Sequence, residues 1–331
     1  MRPRPGYNLL IAGQGPRLDL VGRPLYLDRW RAKGFAEAKV GPESGLLTEM
    51  GAYEALWLQP GATFKTLSAQ IGASLNGRAS DLVDRAAAGA CVKEIAARFA
   101  KAGLRDVGVR LFGTPDYPAK LRDARYPLRA LYFRGDWSLV DTPSVAVVGA
   151  RQLSDHGAAR ARRLVRHLVE DGFTIVSGLA AGTDRVAHTT ALEMGGRTIA
   201  VLGTPIHKVY PRENEKLQRQ IAERFLLISQ VPVLLYDSKD WRQNRKFFPE
   251  RNVTMSALTD ASIIVEIGES KGTLIQSKAA LDQGRPLFLL NNCFKKAGIG
   301  WPAQYERRGA VRAADYDDIR QRIAHLATVG E

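Results

Sequence analysis

The stretch "VAVVGARQLSDHG" at 145–157 sets Gly149, Arg151 and Ser154 between an apolar strand and the start of a helix. A glycine there lets the backbone approach a phosphate. A helix start offers unpaired N–H groups, and an arginine adds charge. Three further loops have the same character. One holds Ser177, Gly178, Gly182, Thr183 and Asp184; another holds Lys208, Tyr210 and Arg212; the third holds Ser270, Lys271, Gly272 and Thr273. The stretch "DSKDWRQNRKFFPERN" (237–252) interleaves Arg242, Arg245, Lys246 and Arg251 with Trp241, Phe247 and Phe248. Cations neutralise phosphates and aromatic rings stack unpaired bases, so this pattern suits a single-stranded nucleic acid. Two blander readings stand beside these: a tight turn with a solvated arginine, and phenylalanines that plug the core.

Other phosphate chemistries fit less well. A dinucleotide site wants an acidic residue at the end of the second strand to hold a ribose, and that position is Ser177. Asp184 reads more simply as a helix-start carboxylate. The pattern G-x-x-x-x-G-K-[ST] is absent. The five histidines show no metal-ligand spacing, so neither a metal nor another cofactor is expected.

The elements that must position these loops follow from periodicity. From 144 to 290, continuous apolar runs ("VAVV", "FTIVS", "RTIAVL", "FLLIS", "ASIIVEI", "PLFLL") alternate with helical segments near 155–170, 184–194, up to 224, 251–259 and 273–283. That alternation predicts an α/β fold: a Rossmann-like, doubly wound, mostly parallel sheet covered on both faces. In such a sheet ligands bind beyond the carboxyl ends of the strands, where the four loops lie. Upstream, short helical patterns punctuated by Pro60, Asn76-Gly77 and Gly103 predict a small helical domain. The expected division is a basic segment over 1–42, the helical domain over 43–105 and the Rossmann-like domain over 106–331.

Forty-eight Lys and Arg against 34 Asp and Glu leave a formal charge of +14, which favours a polyanionic partner. The two cysteines have no framework spacing, and the N-terminus lacks a signal-peptide apolar core. A reduced, cytoplasmic protein with no membrane segment is expected.

Taken together, "VAVVGAR", "IVSGLAAGTDRVAHTTAL", "GGRTIAVLGTPIHKVYPREN" and "FFPERNVTMSALTDASIIVEIGESKGTLIQSKAALDQGRPLFLL" resemble, in order and spacing, the DNA-processing protein A (DprA/Smf) family. "DYPAKL…LYFRGD" and "GAVRAADYDDIRQRI" resemble that family's entry into the domain and its closing strand and helix. The resemblance covers about 113–325. It implies a protein that binds single-stranded DNA as a homodimer and hands it to a RecA-type recombinase during natural transformation, with no catalytic reaction. It makes Gly149-Ala150-Arg151 the match to a G-S/T-R phosphate loop, with Ala150 in place of a hydroxyl residue. Ser177-Gly178 match a second phosphate turn, and Arg212 a DNA-contacting cation. Arg251-Asn252 match the start of an "RNR" motif that here continues with Val253, and Lys271 falls in a "SGS/T" loop. No winged-helix extension is expected after the closing helix.

The alternatives are a nucleotide-sensing module using the same pocket and a phosphoribohydrolase-like enzyme. The latter needs a glutamate where this chain has Gln276, and an amide cannot serve as a carboxylate acid or base.

Overall fold

The computed structural model describes residues 42–122, 126–268 and 271–327. The basic segment expected over 1–42 lies outside the described residues, Pro42 excepted.

Nine strands form one sheet: β1 (Gly108–Leu111), β2 (Ala130–Gly135), β3 (Ser144–Val148), β4 (Thr174–Ser177), β5 (Thr198–Leu202), β6 (Leu226–Ser229), β7 (Ala261–Ile264), β8 (Leu287–Leu290) and β9 (Val311–Ala313). Their order is β1-β2-β6-β5-β4-β3-β7-β8-β9. The seven from β3 to β9 run parallel, while β1 and β2 form an antiparallel edge that joins the rest through β6. This is the expected α/β architecture.

Alternation along β3 shows how the two faces are built. Val145 and Val147 enter the core beneath the helices Asp155–Glu170, Thr183–Glu193 and Tyr316–Ala327. Ala146 and Val148 enter the opposite core, beneath the helices Phe247–Leu258 and Gly272–Asp282. Ala146 faces Val176 on one side and Ser262 on the other, and β3 is the middle one of the seven parallel strands. The chain leaves β3 toward β4 and reaches β7 only later, so the loops after β3 and β7 diverge. That divergence opens a crevice beyond their carboxyl ends.

The upstream helices Pro42–Trp57 and Arg85–Lys101 share one hydrophobic cluster with Ala130 and Tyr132 of β2, Leu202 of β5 and the Glu215–Arg224 helix. Glu54 adds a polar tie. It is fully buried, accepts from the Tyr132 hydroxyl at 2.6 Å, and accepts from the backbone N–H groups of Val233 and Leu234 at 2.8 and 2.9 Å. Its carboxylate thus fixes the first helix to both β2 and the Val233–Ser238 helix.

Two elements differ from the expectation. Strand β1 is too short, and carries an arginine, to show as an apolar run. Arg110 is nevertheless buried, its guanidinium 4.6 Å from the Phe133 ring and 5.2 Å from the Trp137 ring, with Asp116 paired at 2.6 Å. The helix expected over 251–259 begins earlier, at Phe247, with Pro249 in its first turn. Proline is tolerated there because a first-turn N–H has no intrahelical acceptor to lose.

Two stability measurements follow. Glu54→Ala strands a buried hydroxyl and two buried N–H donors, so urea denaturation is expected to show a loss of about 3 kcal/mol; an unchanged midpoint would deny the tie. His188 lies fully buried, its Nδ1 2.7 Å from Thr198 Oγ1, and burial pulls its pKa down to about 3. Its contribution is therefore complete above the ordinary value near 6.5 and is lost as the pH falls toward 3. Roughly 2 kcal/mol should be gone by pH 5, and His188→Gln should flatten that part of the profile.

Candidate functional site

A crevice of about 230 Å³ lies at the carboxyl ends of β3 and β7. Its floor is Val148, Gly149 and Ala180, and Asp184, Arg251, Asn252 and Met255 line its depth. Arg151, Tyr210, Trp241, Arg245, Phe248 and Lys271 stand around it, and Gly272 and Thr273 bring the start of the Gly272–Asp282 helix to its edge. That helix has no side-chain cap and no acidic residue in its first turn. Its first-turn N–H groups, which lack intrahelical acceptors, and its positive dipole end face the crevice edge and suit an anion.

Arg251 holds the crevice together. It is 4% exposed and donates to Gly178 O from Nη1, to Val201 O from the same nitrogen at 2.7 Å, and to Asn252 Oδ1 from Nε at 2.8 Å. Asn252 in turn donates to Gly272 O at 3.1 Å. One side chain therefore joins the ends of β4 and β5 to the helix that bears the aromatics, and its neighbour reaches the loop after β7. Burial lowers the Arg251 pKa to about 10, while Asp184 resists the fall, so the guanidinium stays charged at neutral pH. Burial pushes the Asp184 carboxyl up, against the pull of Arg251 and the Ala180 N–H donated at 3.2 Å.

The glycines are needed for contact. A Cβ on Gly178 would sit 2.3 Å from the Arg251 guanidinium. Gly182, at φ +73°, caps the Thr183–Glu193 helix, and a Cβ there would sit 2.3 Å from Ala150 O. Thr183 N donates to that same carbonyl at 3.0 Å, which locks the Gly149–Arg151 turn onto the second helix.

The aromatic wall is partly open. Trp241 is 57% exposed and Tyr210 41%. The Tyr210 and Phe248 rings lie 5.4 Å apart at 55°. Arg151 lies 5.7 Å from the Phe248 ring centre and Arg245 5.2 Å from that of Trp241. Cations beside partly exposed rings suit a ligand that alternates phosphate and base.

Seven of the residues expected from the sequence to hold phosphate or stack a base meet here: Gly149, Arg151, Trp241, Arg245, Phe248, Arg251 and Lys271. The others lie elsewhere. Phe247 is 1% exposed and packs against Trp57, Phe64 and Tyr236, so it is a core residue and has no face for a base. Ser177 is fully buried and donates to Val147 O at 2.7 Å, and Gly178 lies beneath Arg251, so neither presents a free group to a phosphate. Ala150 is buried with its carbonyl engaged by Thr183. Ser154 caps its helix through Gly157 N at 3.0 Å and donates to Glu266 at 2.7 Å. Lys208 is paired with Asp237 at 2.9 Å. Arg212, Arg242 and Lys246 are exposed but do not line the crevice. Tyr210 joins the aromatic wall without having been picked as a stacking residue. Its place two residues before Arg212, in a strand-end loop, was the available signal.

The family model for DNA recombination-mediator protein A matches residues 108–324. Protein Smf of Synechocystis is 42% identical over 182 residues, covering 54% of this chain and 44% of that protein. The DNA processing protein DprA of Streptococcus pneumoniae is 37% identical over 175 residues, 53% of this chain and 59% of that one. The chain thus spans about half the length of these relatives. Among solved structures, DprA from Streptococcus pneumoniae superposes with a TM-score of 0.65 at 24% identity, over 86% of this chain and 99% of that one. A structure concerned with the single-stranded DNA binding mode of the Helicobacter pylori protein gives 0.55 at 25% identity, over 66% and 96%.

Arg251→Met is expected to cost about 3 kcal/mol, because it leaves two buried carbonyls without their donor and the buried Asp184 carboxyl without a nearby positive charge. Urea denaturation at pH 7 measures it; a cost below about 1 kcal/mol would deny the strut.

Proposed function

With residues 108–324 matching its model, the chain belongs to the DNA recombination-mediator protein A family, and we propose on that premise that it binds single-stranded DNA in the crevice beyond β3 and β7. The observation that carries this reading is the pairing of Arg151 with the Phe248 ring and of Arg245 with the exposed Trp241 ring at a helix start that Lys271 does not cap. Phosphates would be held by Arg151, Arg245, Lys271 and the N–H groups of the Gly272–Asp282 helix, with Gly149 allowing the backbone to approach. Unpaired bases would stack on Trp241, Phe248 and Tyr210. A paired base hides its faces inside the duplex stack, so the rings favour a single strand. Exposed Arg212, Arg242 and Lys246 would extend the contact along the strand beyond the crevice.

The family membership and charge surplus support a wider role: protecting single strands in the cytoplasm, as a homodimer, and loading a RecA-type recombinase onto them.

Fluorescence anisotropy with a labelled single strand tests the reading. Arg151→Ala with Arg245→Ala should weaken binding and reduce the slope of log K against log salt by about 1.4, at roughly 0.7 per lost phosphate contact. Trp241→Ala should cost ~1–3 kcal/mol with the salt slope unchanged, as loss of a stack would. Unchanged binding by these variants, folded, would move the site elsewhere.

A further inference from the structure

The helix Phe247–Leu258 has two working faces. Phe248, Arg251, Asn252 and Met255 line the crevice already described. Glu250, Val253, Thr254 and Ala257 line a second cavity, of about 980 Å³, at the junction with the upstream helices. Cavities of this size at such junctions are where small-molecule sites most often form.

Its polar lining is unusually short of partners. Gln230 is 1% exposed, and neither its Nε2 nor its Oε1 has a hydrogen bond. Gln283 Oε1 and Arg285 Nε, both buried atoms of the same lining, are also unpartnered. The remaining donors of these two side chains brace the shared helix: Gln283 Nε2 donates to Val253 O at 3.1 Å and Arg285 Nη2 to Ala257 O at 3.4 Å. Lys65 stands across the cavity with its Nζ 5.4 Å from the Tyr126 ring centre. Buried polar atoms normally find partners, so four unpaired atoms around one cavity call for a ligand with both donors and acceptors.

We propose that this second cavity binds an adenine nucleotide. The Gln230 amide offers a donor beside an acceptor, which complements adenine N7 and N6 and mismatches guanine, whose N7 and O6 both accept. Lys65 and Arg285 supply the charge for a phosphate, and Gln283 an acceptor for a ribose hydroxyl. Because Gln283 and Arg285 also hold the backbone of the shared helix, an occupant bears directly on the element that carries Phe248 and Arg251. The cavity lies on the opposite side of that helix from the crevice, so its ligand and a DNA strand do not compete.

Isothermal titration of the full chain with AMP, ATP and GMP tests this. The expected result is one site, a submillimolar dissociation constant for an adenine nucleotide, and at least tenfold weaker binding of GMP. Gln230→Leu and, separately, Arg285→Ala should weaken adenine nucleotide binding at least tenfold, with thermal melting confirming the fold. Arg151→Ala should leave it unchanged, and saturating single-stranded DNA should not displace it. Absence of binding at millimolar nucleotide overturns the proposal. So does binding that survives both cavity variants, or binding lost with Arg151→Ala or displaced by DNA, since those results put the nucleotide in the crevice.

Discussion

A buried guanidinium organises the working end of this molecule. Arg251 reaches from the Phe247–Leu258 helix to the carbonyls that end β4 and β5, with Asp184 as its counter-charge. A charge so far from water persists only where acceptors and an opposite charge surround it. Each neighbour is constrained in turn. Position 178 must be glycine, since any Cβ would collide with the guanidinium. Asn252 carries the tie onward to Gly272 and so to the start of the helix whose N–H groups face the crevice. Phe248, one turn before Arg251, then has to face the same crevice, while Phe247 turns into the core.

A second set of polar contacts attaches the upstream helices to this assembly. Glu54 fixes the Val233–Ser238 helix to the first helix and to β2. At the other end of that short helix, Asp237 accepts from Arg98 at 3.0 Å and pairs with Lys208 at 2.9 Å and His207 at 3.3 Å. Burial pulls the His207 pKa down to about 4, so the imidazole is neutral at pH 7 and the two cations carry the attraction. The segment bearing Trp241 and Arg245 begins directly after Asp237. Its starting point is therefore set by side chains from three separate parts of the chain, and the aromatic wall depends in part on the upstream helices.

The architecture was legible because a parallel sheet buried on both faces needs continuous apolar strands, and these stand plainly in the sequence. The strand-end loops were legible for a related reason: glycine, a following helix and a cation stand out together in the sequence, and Arg151 and Lys271 do lie at one crevice. Local pattern failed where tertiary packing decides. Phe247 and Phe248 are identical neighbours, and only the helix that starts at Phe247 tells which ring is core. Pro249 argued against that helix locally, yet a proline in the first turn costs it nothing. Arg251 looked like one cation among four, although it is the strut and not a surface charge. Ser177 had the right position for a phosphate contact, but its hydroxyl satisfies the Val147 carbonyl. The short strand carrying Arg110 was invisible because its burial depends on the Phe133 and Trp137 rings, more than twenty residues on, as well as on the nearby Asp116.

The central claim is that a single strand lies in the crevice with its bases against the aromatic wall. Photo-crosslinking with 5-iodouracil-substituted single-stranded DNA, followed by mass spectrometric mapping of the adducts, tests it most directly. Adducts on Trp241, Tyr210 or Phe248 are the predicted result. Efficient adducts confined to other surfaces, with those three rings unmodified, would contradict it.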